Sequence, residues 1–200
     1  MRIFATCLSI LVLLSTGATI ISCNNDKAAT QVTDGGTISQ DSLIKRGEYL
    51  VTIMGCDDCH TPRKMGPTGP EPDMSRRLSG HPSDLPIGKI NPPDLKTWVL
   101  FSPNMTAFAG PWGVSYAANI SSDQSGVGGW SEAQFIKAIR EGKLKGLDNT
   151  RPMLPPMPWP SFKVATDEDL KAIFSFLKST KPINNIVPAP VAVDAIASLK

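Results

Sequence analysis

An all-α domain interrupted by a long Pro/Gly-rich insertion is the fold this sequence predicts, and three observations predict it. Three segments carry apolar residues at helical spacing with capping residues at their ends. The pentapeptide Cys56-Asp57-Asp58-Cys59-His60 follows directly on the first of them. Between Arg63 and Ala118, Pro and Gly are frequent enough to disfavour long helices, so a small β-hairpin is the most regular structure expected there. With 200 residues, 41% of them hydrophobic, the chain is long enough to bury one sizeable core, and one folded domain is expected.

The first helix is read from Leu43, Gly47, Leu50, Val51 and Met54, with Asp41 or Ser42 as N-cap and Gly55 as the stop. The second opens on Ser131-Glu132-Ala133-Gln134, a capping box with Ser131 at N-cap and Gln134 at N3. Trp130 and Phe135 are spaced for a hydrophobic staple, and Gly142 ends the helix after Glu141. The third has Thr166 at N-cap and Asp167, Glu168 and Asp169 in its first turn, where negative charge suits the helix dipole. Leu170, Ile173, Phe174 and Leu177 make its core-facing stripe, and Pro182 forbids continuation.

Inside the insertion, Thr106 to Phe108 and Val114 to Tyr116 flank Gly110-Pro111-Trp112-Gly113 and are expected to pair as a hairpin. The insertion is expected to wrap a cofactor edge and shape partner docking. Pro182 to Lys200 is expected to lie along the surface.

At the N-terminus Arg2 precedes an apolar run centred on Ile10 to Leu14 that fades into Ser15, Thr16 and Gly17, the pattern of an export leader. The run is short and interrupted for a spanning helix of roughly 20 apolar residues. Ile20-Ile21-Ser22-Cys23 resembles the lipobox of bacterial lipoproteins, which implies cleavage before Cys23 and lipidation of its thiol. An ordinary signal peptide cut nearby and an uncleaved anchor are the alternatives. Asn24 to Gln40 is polar and reads as a flexible tether. The net charge of +2 gives no indication of nucleic acid as a partner.

C-x-x-C-H is the pattern that attaches a c-type haem. Two thiols three residues apart share one helical turn and reach both vinyl groups, and the following histidine falls beneath the iron as an axial ligand. A thioredoxin-like pair would need a strand before the motif, whereas Cys56 follows a helix. A zinc site needs about four ligands. With Cys7 in the leader and Cys23 assigned to lipid, only His81 remains outside the motif as a further His or Cys.

Arg46-Gly47-Glu48-Tyr49-Leu50 before the motif, Asn119-Ile120 through Gly128-Gly129-Trp130-Ser131, and Pro155-Pro156-Met157-Pro158-Trp159 ahead of the third helix carry a resemblance. They are similar to class I cytochromes c, and in particular to the cytochrome c subunits of membrane-bound alcohol and aldehyde dehydrogenases. The resemblance covers roughly residues 45–62 and 116–178. It implies an all-α, class I cytochrome c fold, one covalently bound haem c on Cys56 and Cys59, and iron ligation by His60 and Met157. Met153 and His81 are the competitors for Met157. Arg76, Arg77 and Arg151 are candidates to meet the haem propionates or an acidic partner.

The implied organisation is a signal peptide over 1–22, a tether over 23–40, a monohaem domain over 41–180 and a Pro-containing extension over 181–200. The implied function is single-electron transfer between a dehydrogenase, quinol-oxidising complex or terminal oxidase and a downstream acceptor, by a lipoprotein facing the periplasm. Asn24 after Cys23 resembles the outer-membrane sorting class. A haem-based sensor or peroxide-reducing protein with a labile sixth ligand is the alternative, although no distal acid/base pair is identifiable around the Met157 loop. The chain is expected to be no enzyme by itself.

Overall fold

The structure is a computed structural model and describes residues 39–199. The expected leader, Cys23 and all but the last two residues of the tether lie outside the described residues. Helix α1, Gln40–Ile53, begins earlier than expected: Ser39 is the N-cap, extended, and its Oγ accepts from the Ser42 amide at 3.2 Å. Met54 closes the helix, and Gly55 turns the backbone left-handed at φ +68°, which lets a second short helix restart at once. That is α2, Cys56–His60.

The insertion contains more sheet than expected. Strands β1, Arg63–Gly66, and β2, Gly69–Pro72, pair antiparallel around Pro67-Thr68. Strands β3, Leu100–Phe101, β4, Ala107–Gly110, and β5, Gly113–Tyr116, form a second antiparallel sheet in that order. The expected hairpin is β4–β5, with Phe108 opposite Ser115 and Gly110 opposite Gly113. Helices α3, Glu132–Glu141, α4, Trp159–Phe162, and α5, Asp167–Ser179, complete the order.

The expectation of an all-α, class I cytochrome c fold is therefore corrected: the described residues combine five helices with two small antiparallel sheets. The cause is local. Pro and Gly limit helix in the insertion to short 3-10 turns, and two-residue turns at Pro67-Thr68 and Pro111-Trp112 bring neighbouring extended segments into register. No helix among the described residues is long and apolar enough to cross a membrane.

Two groups of buried apolar residues form. The larger joins Leu50 and Val51 of α1, Phe135 and Ile139 of α3, and Leu170, Ile173, Phe174, Phe176 and Leu177 of α5, with Leu78 and Val127 from loops. All four stripe residues of α5 lie in it, as their spacing requires. Helices α1 and α5 cross at Gly47, where a Cβ would stand 2.0 Å from the Ala172 carbonyl oxygen. Glycine is therefore needed for the approach, which outweighs its roughly 1 kcal/mol cost inside a helix.

The smaller group is Leu95, Ala109, Val114 and Ile196. Most of the C-terminal stretch lies along the surface as expected, but Ile196, only 1% exposed, anchors it. Val191 exchanges both backbone hydrogen bonds with Val114 on the outer edge of β5. Asn185 donates to the Ser79 and His81 carbonyls at 2.7 and 2.8 Å and accepts from the Ser83 amide. Residues 185–196 thereby cover the sheet edge and pin the loop that follows the single helical turn Met74–Arg76.

Candidate functional site

Helix α2 carries the three motif residues, and its neighbours fix their chemistry. Cys56 and Cys59 are free, partly buried thiols. Burial, with Asp57 adding to it, pushes Cys56 up to about 12. Burial and then Asp58 also raise Cys59. Both sulfurs therefore stay protonated at neutral pH, unlike the low-pKa thiolates of redox dithiols or metal–thiolate sites. Among the described residues no group of three or more His, Cys, Asp or Glu is placed to hold a metal ion.

His60 is held by backbone. Its Nδ1 lies 2.7 Å from the Ala118 carbonyl oxygen, and since a carbonyl only accepts, Nδ1 carries the proton. Burial lowers its pKa, against the opposing pull of the Ala118 bond and Asp57. The ring is thus neutral, with the lone pair on Nε2, the form that ligates iron. Gly80 donates to the His60 carbonyl at 2.8 Å and, at φ +72°, passes so close to Ala117-Ala118 that a Cβ would sit 2.5 Å from the Ala117 oxygen.

Asp57, between the two cysteines, anchors α2 to the rest of the fold. Arg77 grips its carboxylate with Nε at 3.0 Å and Nη2 at 2.8 Å, and the Thr61 hydroxyl donates at 2.7 Å. Burial alone would raise the Asp57 pKa, but the Arg77 and Thr61 hydrogen bonds reverse the direction and lower it. Arg77 also reaches Glu48 at 3.5 Å and stands 5.3 Å over the Phe176 ring. Its guanidinium is committed to this bridge between α1, α2 and α5. Arg76 faces Asp84 at 3.5 Å on the surface, and exposed Arg151 donates to the Pro152 carbonyl at 2.9 Å.

Met157 packs against the larger apolar group, as does Cys56. The loop before it is held on two sides: the Met153 amide donates to the Gly142 carbonyl at 2.7 Å, and the Ser115 hydroxyl donates to the Pro155 carbonyl at 2.5 Å. Met153 is not among the residues packed on that group. His81 has both ring nitrogens occupied inside the protein, Nε2 by the Leu85 carbonyl at 3.0 Å and Nδ1 by the Thr106 hydroxyl at 2.9 Å. Asn104 donates to the same hydroxyl at 2.7 Å, so Thr106 is left to donate to His81.

The residues present fit a covalently held haem: two protonated thiols on one turn, a neutral histidine with Nε2 unbonded, and a thioether in the same apolar surroundings as Cys56. Ala118, Gly80, Ser115 and Thr61 were not foreseen, and Arg77, expected at a propionate or an acidic partner, is instead paired with Asp57. The first acts through its carbonyl, which carries no signal in sequence, and the others act through contacts that no local spacing announces.

A C-x-x-C-H helix with an Nδ1-tethered histidine is the arrangement of c-type cytochromes, and known proteins point to the same class. The chain is similar to dehydrogenase cytochrome c subunits. It is 31% identical over 147 residues to the gluconate 2-dehydrogenase cytochrome c subunit of Pantoea cypripedii, covering 72% of this chain and 25% of that protein. To the cytochrome c subunit of alcohol dehydrogenase (quinone) of Gluconobacter oxydans it is 29% identical over 147 residues, 72% of this chain and 23% of that protein. To the fructose dehydrogenase cytochrome subunit of Gluconobacter japonicus it is 25% identical over 150 residues, 74% of this chain and 23% of that protein. The chain thus spans about a quarter of the length of these curated relatives. No protein-family model matches it.

Proposed function

We propose that this chain is a monohaem c-type cytochrome that carries single electrons from a dehydrogenase or quinol-oxidising complex to a downstream acceptor. Cys56 and Cys59 would anchor the haem through thioethers, and His60 and Met157 would ligate its iron. The observation that carries this reading is His60: its Nδ1 tied to Ala118, its Nε2 free, and placed directly after two free thiols.

Haem c, when bound, supplies the reversible one-electron couple of its iron. His60 is oriented by the Ala118 carbonyl, which fixes its tautomer and strengthens it as a ligand. Met157, as a thioether ligand, would favour a higher potential than a second imidazole. The apolar residues shared by Cys56 and Met157 keep water from that side.

The Cys23 lipobox supports attachment to the cell envelope through lipid, facing the periplasm, with Asn24 favouring the outer membrane. The relatives named as dehydrogenase subunits support a dehydrogenase as electron donor. The test is a redox titration with carbon monoxide added to the reduced protein at neutral pH. A single reversible one-electron wave and only slow carbon monoxide binding, limited by displacement of Met157, are expected. Rapid binding would favour the sensing or peroxide-reducing alternative. Separately, membranes washed in high salt should retain the protein, and Cys23→Ala should release it or change its N-terminus. Unmodified chains starting downstream of Cys23 would refute the anchor.

A further inference from the structure

We infer that strand β5 and its exit, residues 115–118, form a clamp on both axial-ligand segments, and that Ser115 is the positioning residue for the Met157 loop. The inference rests on the haem reading above and assigns a task to the insertion that the motif does not contain.

Three residues of this stretch make the connections. Ser115, 6% exposed, donates through Oγ to the carbonyl of Pro155, two residues before Met157, at 2.5 Å. Ala117 accepts from the His81 amide at 2.9 Å and donates to the Thr106 carbonyl at 2.9 Å, which fixes the strand exit to the neighbouring loop and strand. Ala118 accepts from His60 Nδ1 at 2.7 Å. A displacement of this strand therefore moves the supports of both candidate ligands.

The Ser115 hydroxyl is itself oriented. Trp112 Nε1 donates to Ser115 Oγ at 3.2 Å, so the Ser115 proton is left to point at Pro155. The indole reaches that far back because it folds over Gly110, where a Cβ would stand 2.5 Å from the ring. Gly-Pro-Trp-Gly is thus more than a tight turn: Gly110 makes room for the ring, Trp112 aims the hydroxyl, and Ser115 holds the loop. A hydrogen bond of this kind contributes modestly to folding. Its position matters more, because it acts on the backbone that presents the thioether.

The experiment uses the full-length holoprotein and reads the near-infrared charge-transfer band of Met-ligated ferric haem together with the carbon monoxide association rate of the reduced form. Ser115→Ala should raise the fraction with Met157 displaced, and hence the carbon monoxide rate, about five- to tenfold, the change expected for one lost hydrogen bond. It should also weaken the band at neutral pH. Ser115→Thr, which keeps the hydroxyl, should restore both, and Trp112→Phe should shift both in the same direction by less. A Met157-dependent band with neither readout changed in Ser115→Ala or Trp112→Phe would overturn the clamp alone. Absence of any Met157-dependent band in the unsubstituted protein would overturn the ligand assignment and the clamp together.

Discussion

The helical core and the layer built from the insertion and C-terminal stretch are stabilised by different means. In the core, α1, α3 and α5 bury long apolar side chains against one another, and the backbone hydrogen bonds are satisfied within each helix. In the other layer the buried apolar group is smaller, Leu95, Ala109, Val114 and Ile196, with Ile87, Ile90, Tyr116, Val191 and Leu199 partly buried against it. Much of the rest is held by polar connections: Asn185 to the Ser79 and His81 carbonyls, Asn119 to the Ile183 carbonyl at 2.8 Å, and the Asn104–Thr106–His81 chain. Apolar burial tolerates small shifts, whereas hydrogen bonds fix position to a few tenths of an ångström. The core therefore supplies most of the stability, and the polar layer sets where His60 and the Met157 loop sit.

The contrast is most easily broken at the helix crossing. Gly47→Ala would place a methyl 2.0 Å from the Ala172 carbonyl oxygen, so α1 and α5 must separate. A loss of about 3 kcal/mol or more is expected in chemical denaturation. Leu177→Ala, at a side chain 2% exposed in the same core, should cost about 3 kcal/mol. Ile196→Ala, at 1% exposure in the smaller group, should cost about 2 kcal/mol, because fewer neighbours lose packing. Hydrogen exchange should place that loss around Val114 and Val191 and leave α1 and α5 protected.

Asn185→Ala sharpens the comparison from the polar side. It leaves the Ser79 and His81 carbonyls and the Ser83 amide without their partner, and about 1–2 kcal/mol should be lost in thermal unfolding. The smallest expected effect is a pH dependence. Burial, with Arg76 adding to it, holds the His81 pKa below its ordinary value, against the Leu85 bond and Asp84. The unfolded chain takes up this proton near pH 6.5 and the native protein only at lower pH. Stability should therefore fall as pH drops below about 6.5 and level off beneath the native pKa. His81→Asn should remove that part of the slope.

What the sequence disclosed divides along the same line. Ser131 and Thr166 cap α3 and α5 as read, Gly142 ends α3 left-handed, and the α5 stripe is buried throughout, because each signal lies within one helical turn of its partner. The capping box at α3 is only half made: Gln134 sends its side chain to the Lys145 carbonyl at 2.7 Å. The hairpin β4–β5 was legible from its Gly-Pro-Trp-Gly turn, but its addition to β3 and the β1–β2 pair were not. The role of the C-terminal stretch was hidden because Asn185 reaches carbonyls 104 and 106 residues away. The Arg77–Asp57 pair was hidden for a similar reason, since its partners stand 20 residues apart on different elements.

The central claim is that Cys56 and Cys59 hold one haem c with His60 beneath it. Intact-mass measurement on protein matured in cells that attach haem to C-x-x-C-H sequences tests it most directly. The account predicts a chain heavier by one haem that survives acid–acetone extraction, a porphyrin that becomes extractable or absent in the Cys56→Ala, Cys59→Ala double variant, and no stable holoprotein from His60→Ala. Extraction of all porphyrin from the unsubstituted chain, or a mass without haem, would contradict it.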